Sequence, residues 1–146
     1  MPDRYLLLVD DEPNILKALS RELEFWTEER NITILTAPHA IKALEILKEK
    51  GTETLLVVSD LRMPEMKGSD FLQIVRDTYP HILAILLTGF SETEEVIKAV
   101  RAGIFSYILK PWDSEYLLAE INKAYETAIL KQEHDALVKR IQEELK

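Results

Sequence analysis

Carboxylates, a hydroxyl and an ammonium group follow four apolar segments of the chain, and together they could bind a divalent cation and a phosphoryl group. Asp60 comes directly after the apolar run Leu55–Ser59. The other three runs are Tyr5–Val9 before Asp10 and Asp11, Ile82–Leu87 before Thr88, and Ile104–Leu109 before Lys110. Parallel strands end at one edge of a sheet, where open α/β sheets keep their ligand sites. The sequence therefore predicts a single site built from these five polar residues.

Three carboxylates at one site predict a bound cation. Two of them about 4 Å apart repel by roughly 4 kcal/mol at an effective dielectric constant of about 20. The chain has no cysteine and no histidine near these motifs, so oxygen ligands favour Mg²⁺ or Mn²⁺ over zinc. Beside such a cation a carboxylate can attack a phosphoryl group in line and form an acyl phosphate. Lys110 could pair with one phosphoryl oxygen and Thr88 could donate to another.

The elements that must position this site alternate between strand and helix five times. The predicted strands are Tyr5–Val9, Ile32–Thr36, Leu55–Ser59, Leu83–Leu87 and Phe105–Leu109. Predicted helices start at Pro13, near Ile41, after Gly68, at the capping box Ser91–Glu94 and after Asp113 as an N-cap. Because the strands are nearly continuous apolar runs, we expect burial on both faces of a parallel sheet. Right-handed crossovers then give a doubly wound three-layer α/β fold.

Composition limits the class of protein. The chain has 146 residues, 47% of them hydrophobic and 30% charged, which suits one domain with a real core. Its net charge of −8 argues against direct binding of nucleic acid. The apolar stretches are too short to span a membrane, and the first strand starts almost at once, without a signal peptide. We therefore predict a cytoplasmic protein that does not enter the membrane.

The C-terminal segment predicts a long helix with two different faces. No glycine or proline occurs after Asp113, so a continuous helix there would be about 50 Å long. Its first apolar face can cover the sheet, and consists of Leu117, Ile121, Ala124 and Ala128. A second stripe lies beyond what one small domain can bury: Leu130, His134, Leu137, Ile141 and Leu145.

We divide the chain at this point into a domain over residues 1–127 and a helical extension over residues 128–146. The extension favours a coiled-coil-like linker to a further domain, and a parallel homodimer. Protonation of His134 would weaken that dimer by charge repulsion. A frayed, solvated helix is the alternative.

Four motifs in order give the chain a resemblance to a known family. They are Val9-Asp10-Asp11-Glu12, Ser59–Pro64 with Gly68, Leu87-Thr88-Gly89 and Leu109-Lys110-Pro111. Over about Arg4 to Tyr125 the chain resembles the receiver domains of two-component response regulators, typified by the chemotaxis regulator CheY. The resemblance implies a flavodoxin-like fold with five helices and a five-stranded parallel sheet in the order 2-1-3-4-5.

The resemblance also implies a role for each motif residue. Asp60 would be the phosphoacceptor, with a sensor histidine kinase or a phosphotransfer protein as donor. Asp10 and Asp11 would hold Mg²⁺, together with Asp60 and the backbone carbonyl of Arg62. Thr88 and Lys110 would sense the phosphoryl group, and Tyr107 falls at the family's rotating aromatic position. The chain would be a switch rather than an enzyme, catalysing only its own phosphorylation and dephosphorylation.

Other functions remain open at this stage. A haloacid-dehalogenase-like phosphatase also uses an aspartate, Mg²⁺, threonine and lysine, but it needs a second aspartate where this chain has Arg62, and a cap domain. A receiver-like binding module that is never phosphorylated would lack acceptor or metal residues, whereas this chain has them all. The segment Lys110–Asp113 resembles receivers attached to HD-GYP phosphodiesterases or other signalling enzymes, which leaves the output undecided.

Several smaller features give expectations of their own. Arg62 and Phe90 each lie two residues after a motif residue, where in receivers they border the path of the attacking water, so we expect a long-lived acyl phosphate. Pro111 is a candidate for a cis peptide bond, and Trp112 is expected to pack at the start of the last helix. The three histidines follow no ligand spacing and are expected at the surface.

Overall fold

The computed structural model describes residues 3–89 and 93–146. The strands are β1 (Tyr5–Val9), β2 (Thr33–Ala37), β3 (Thr54–Asp60), β4 (Leu83–Thr88) and β5 (Ser106–Leu109). The helices are α1 (Pro13–Glu29), α2 (Ala40–Lys50), α3 (Gly68–Thr78), α4 (Thr93–Arg101) and α5 (Ser114–Glu144), with a 3₁₀ turn at Gly51–Glu53. Phe90 and the first two residues of the predicted capping box, Ser91 and Glu92, lie outside the described residues.

The five strands form one parallel sheet in the order β2-β1-β3-β4-β5. This confirms the predicted doubly wound α/β architecture and strand order. Because β1 and β3 are neighbours at the centre, the residues at their carboxyl ends meet where the chain changes its winding direction. The fold therefore brings Asp10 and Asp60 to one place.

Two apolar cores lie on opposite faces of the sheet, because side chains alternate along each strand. On β1, Leu6 and Leu8 face the core beneath α1 and α5, whereas Leu7 and Val9 face the core beneath α2, α3 and α4. All four side chains are at most 1% exposed. The central strand β1 is therefore buried on both sides, as predicted.

The edge strands β2 and β5 are less buried than predicted. On β2 only Ala37 is buried, and on β5 only Ile108 is buried. A strand with one neighbour is covered less completely by the helix layers, so an apolar run does not by itself establish burial on both faces. In α4 the same difference appears, because Ile97 and Val100 are 48% and 53% exposed and only Ala99 is buried.

The last helix is continuous over 31 residues and crosses the predicted boundary after residue 127 without a break. Asp113 caps it, with its side chain accepting a hydrogen bond from the Glu115 N–H, as predicted. The first apolar face of α5 is buried and the second stripe is exposed, Leu130 at 65% and Leu145 at 82%. Among the described residues, no helix is both long and apolar enough to cross a membrane.

Two of the three histidines are less exposed than predicted. His39 and His81 are half-buried rather than superficial: His39 accepts from the Lys42 N–H at the start of α2, and His81 Nε2 lies 2.7 Å from the Gly51 carbonyl. His134 is exposed, as predicted. The Lys110–Pro111 peptide bond is cis, as anticipated.

Candidate functional site

Three carboxylates meet at the carboxyl ends of β1 and β3. Asp10 follows β1 and is fully buried, while the next residue, Asp11, is exposed. Each of Asp10, Asp11 and Asp60 offers a carboxylate oxygen, and these oxygens all lie within 4.8 Å of one another. Asp10 Oδ1 also accepts a hydrogen bond of 2.9 Å from the Glu12 N–H, which fixes the side chain beside the start of α1.

Asp60 is the last residue of β3 and is 8% exposed. Its Oδ1 accepts hydrogen bonds of 2.9 Å from the Leu61 N–H and from Lys110 Nζ. Among the described residues, no donor is found on Oδ2. Burial raises the pKa of the Asp60 carboxyl above its ordinary value, against the opposing hydrogen bond from Lys110, and the nearby charge of Asp10 adds to the rise.

Lys110 bridges the two buried carboxylates. Its Nζ lies 2.9 Å from Asp60 Oδ1 and 3.1 Å from Asp10 Oδ2. Burial works against the ammonium charge, but the hydrogen bond and charge of Asp60, with those of Asp10, outweigh it and raise the Lys110 pKa. The Lys110 N–H also donates to the Thr88 carbonyl at 2.8 Å, which anchors its backbone to the end of β4.

The loop after Asp60 is held in place where the backbone of Gly68 packs closely against the backbone of Asp60 and Leu61. The Gly68 N–H donates to the Leu61 carbonyl at 2.8 Å. A Cβ atom at this position would lie 2.3 Å from the backbone oxygen of Asp60 and 2.8 Å from the Leu61 Cα. Only glycine leaves room for the start of α3 against the backbone that carries Asp60.

The remaining predicted residues, Thr88, Arg62 and Tyr107, lie on the strands and the loop that surround this centre. Thr88 is fully buried beside Leu109 in the β4–β5 register, and its hydroxyl donates to the Gly89 carbonyl at 3.3 Å. Arg62 is exposed and lines a shallow cavity with Met63, Lys67 and Glu95. Tyr107 is 43% exposed and lines a groove of about 500 Å³ against α4, with an apolar wall formed by Val96, Ile97, Val100 and Leu109.

Sequence reasoning missed two groups of contacts near the site. Lys67 and Ser69, at the start of α3, bind the carboxylate of Glu95 on α4 at 3.2 and 3.1 Å. The Lys67 ammonium lowers the pKa of Glu95. Trp112 and Ser114 bind Glu22 on α1 rather than only packing at the start of α5. Each pair is separated by 26 to 92 residues, so local spacing carries no signal for it.

Comparison with known proteins agrees with this geometry. The response regulator receiver domain family model matches residues 6–122. The chain belongs to this family. Over 122 residues, 83% of this chain, the receiver domain is 35% identical to the hydrogenase transcriptional regulatory protein HoxA of Cupriavidus necator, of which it covers 24%.

Solved receiver structures superpose on most of the chain. The receiver domain protein of Clostridium thermocellum is 31% identical with a TM-score of 0.79, covering 87% of this chain and 98% of that one. The signal receiver domain of an HD domain-containing protein from Pseudomonas fluorescens is 32% identical with a TM-score of 0.81, covering 91% and 94%. The two neighbours share the fold of this receiver domain.

Family membership establishes the class of function. The receiver domain is a phosphorylation-dependent switch of two-component signalling, and so a signalling protein rather than a phosphatase of the haloacid-dehalogenase type. It spans about a quarter of the length of the curated relatives it matches. Receiver domains bind a divalent cation at an acidic pocket, and this chain has an acidic cluster of Asp10, Asp11 and Asp60.

Proposed function

We propose that Asp60 accepts a phosphoryl group from a sensor histidine kinase or a phosphotransfer protein and that the resulting aspartyl phosphate switches the domain between two states. The observation that supports this most strongly is the Lys110 bridge, which holds Asp60 Oδ1 and leaves Oδ2 without a donor among the described residues. A buried carboxylate with one oxygen fixed and one oxygen open is suited to nucleophilic attack.

In this reaction Asp60 Oδ2 attacks the phosphorus of a phosphohistidine. A P–O bond forms as the P–N bond breaks, and the electron pair stays on the imidazole nitrogen that leaves. The carboxylate must be ionised to attack, and the Lys110 ammonium favours that form through its hydrogen bond. Lys110 would then move from the carboxylates to a phosphoryl oxygen, and the Thr88 hydroxyl would donate to another.

The donor set fits Mg²⁺ or Mn²⁺. Three carboxylates less one ammonium leave two uncompensated negative charges, which a divalent cation would balance. Asp10, Asp11 and Asp60 would hold the ion, with the backbone carbonyl of Arg62. When bound, the ion would neutralise charge on the incoming phosphoryl oxygens.

The proposed switch runs from the site to the face formed by α4 and β5. Thr88 is the last residue of β4 and pairs with Leu109 on β5, two residues after Tyr107. A shift of Thr88 toward a phosphoryl group would move the end of β4, which pairs with the strand that carries Tyr107. Tyr107 lines the groove beside α4. In this proposal Tyr107 changes its exposure in response to phosphorylation.

We further propose that the switch acts on an output domain or a partner protein and that α5 pairs with a second copy of the chain. The exposed stripe from Leu130 to Leu145 supports pairing, because apolar side chains there have no cover within the described residues. The relative HoxA is a transcriptional regulator, and one structural neighbour comes from an HD domain-containing protein, so the chemistry of the output differs among relatives. The cytoplasmic location stays a prediction.

Phosphorylation can be tested directly by intact mass. After incubation with acetyl phosphate and Mg²⁺, we expect one phosphoryl addition, its loss in Asp60→Asn, and its retention in the matched variant Asp77→Asn, on the exposed side of α3. Beryllofluoride should also tighten Mg²⁺ binding, since metal and phosphoryl mimic screen each other's charge. Equal labelling of Asp60→Asn would contradict the assignment, and a wild-type chain that takes no label would favour a binding module that is never phosphorylated.

A further inference from the structure

Glu22, near the middle of α1, binds two residues that directly follow the site lysine along the chain. Its Oε2 accepts a hydrogen bond from the Trp112 indole Nε1–H, and its Oε1 accepts one of 2.9 Å from the Ser114 hydroxyl. Both carboxylate oxygens are therefore used, by donors about 90 residues away in sequence. Glu22 is half-buried, and Trp112 packs against the core beneath α1 and α5.

These contacts fix a short connection that carries Lys110. Only Lys110, Pro111, Trp112 and Asp113 separate β5 from α5. At its start the connection is anchored by the hydrogen bond from the Lys110 N–H to the Thr88 carbonyl. At its end Glu22 binds the residues on either side of the α5 N-cap, Asp113.

Helix α1 is therefore linked both to Asp10 and to the connection that carries Lys110. It begins three residues after Asp10, whose Oδ1 is bound by the Glu12 N–H, and it holds the connection that presents the Lys110 ammonium to Asp10 and Asp60. Lysine has a long flexible side chain with about 2 kcal/mol of rotamer entropy, so the placement of its backbone decides how often Nζ reaches both carboxylates.

We propose that Glu22 is a positioning residue for Lys110: through Trp112 and Ser114 it holds the β5–α5 connection in the place from which the ammonium bridges Asp10 and Asp60. This inference rests on the proposed role of Lys110 in phosphorylation of Asp60. The plain alternative is that Glu22 only fastens α1 to α5 and contributes stability without affecting the reaction.

Variants of Glu22 separate these two roles. Glu22→Ala removes both contacts. Glu22→Gln can keep both, because its amide oxygen can accept from the indole and its amide N–H can donate to the Ser114 hydroxyl. Glu24→Ala is the matched control, since Glu24 is exposed on the same helix. Helix α1 remains tied to α5 in all three, because Trp26 Nε1 donates to Asn122 Oδ1 at 3.2 Å.

The experiment measures the rate of Asp60 phosphorylation by acetyl phosphate with Mg²⁺, and the indole N–H signal of Trp112 by NMR. We expect Glu22→Ala to slow the reaction about tenfold, since small misplacements of a catalytic group cost rates of this order or more. Glu22→Gln and Glu24→Ala should stay near the wild-type rate. The indole signal should move only in Glu22→Ala.

A double-variant cycle identifies the route of the effect. If Glu22 acts through Lys110, Glu22→Ala should cause no further slowing in a Lys110→Met chain. Trp112→Phe keeps an aromatic ring and removes the N–H donor, so it gives the same test without a change in α1. We expect it to slow phosphorylation in the wild-type chain but not in Lys110→Met.

Two results would overturn the inference alone: a folded Glu22→Ala chain and a Trp112→Phe chain that both react at the wild-type rate, or equal slowing in the Lys110→Met background. A wild-type chain that takes no phosphoryl group would overturn the proposed function, and this inference with it.

Discussion

At the scale of single residues, the site is a balance between buried negative charge and one ammonium group. Sequence reasoning anticipated repulsion among Asp10, Asp11 and Asp60 and inferred a metal ion from it. The structure adds that Lys110 already offsets part of that charge, with contacts of 2.9 and 3.1 Å. Under the proposed function, a phosphoryl group on Asp60 would compete with the carboxylates for the same ammonium, so Lys110 would both hold the acceptor and respond to its modification.

Asp60→Asn should raise the free energy of unfolding at neutral pH in the absence of metal. Because the folded pKa of Asp60 is raised, the folded state binds more protons than the unfolded state at pH values above the ordinary 3.8 and below the raised value. The contribution of the Asp60 carboxyl to the free energy of unfolding therefore falls as the pH rises through that window. It stays unfavourable at higher pH. Urea unfolding at several pH values should show the Asn variant's advantage shrinking as the pH falls through that window, with no advantage left below pH 3.8. An advantage independent of pH would contradict the argument.

Lys110→Met should have the opposite effect. It leaves two carboxylates buried without their cation, and we expect it to lower the free energy of unfolding by about 1–3 kcal/mol, allowing for the partial exposure of the lysine. Lys42→Met, which removes the ion-pair partner of Glu45 from a pair exposed on both sides, is the matched control and should change stability by less than about 1 kcal/mol. Equal effects of the two substitutions would mean that the bridge contributes no more than a surface pair.

The site residues at the strand ends could be predicted because polar residues with suitable chemistry directly follow apolar runs in the sequence. Asp60 and Lys110 each follow an apolar run, and parallel pairing brings such positions together. The orientation of Tyr107 could not be predicted, because an aromatic residue on an edge strand can face either the core or the groove beside α4. The contact of Glu22 with Trp112 depends on how α1 packs against α5, which no local pattern encodes.

At the scale of elements, α3 fixes the site through the glycine at its first turn. Gly68→Ala would place a methyl group 2.3 Å from the Asp60 carbonyl oxygen, so either α3 or the strand end must move. We expect a loss of about 1–3 kcal/mol in the free energy of unfolding, together with slower phosphorylation. Gly89→Ala is the matched control, because a Cβ atom there would meet nothing within 4 Å among the described residues. If both variants unfold alike, the close approach does not constrain the Asp60 loop.

In helix α4 the spacing of apolar residues does not match the side chains that are buried. Its apolar residues recur at helical spacing, yet only Ala99 is buried, while Ile97 and Val100 are exposed. Polar contacts from Glu95 to Lys67 and Ser69, and from Lys98 to Asp70 at 3.2 Å, join it to α3 instead. An element held by one small buried residue and exposed ion pairs is suited to move, since exposed pairs contribute little stability each.

At the scale of the whole molecule, the two faces of the sheet are occupied unequally. Helices α2, α3 and α4 cover one face, and α1 with the first half of α5 covers the other. The first half of α5 ends at Ala128, which is 1% exposed. Lys131 then donates to the Pro80 carbonyl at 2.8 Å, and later residues of α5 are almost entirely exposed. The extension predicted from residue 128 thus leaves the domain surface within about one helical turn.

Pairing of this extension is the prediction that belongs to the whole molecule. Leu137 and Ile141 are 54% and 47% exposed and lie on one stripe. Burying one such side chain contributes roughly 1.5–3 kcal/mol, so Leu137→Lys should weaken a homodimer by about tenfold or more. Asp135→Lys, on the same helix but off the stripe, should not weaken it comparably. Sedimentation of the three chains over a range of concentrations measures the difference. A wild-type chain that stays monomeric at high concentration would mean that the stripe is solvated or covered by another protein.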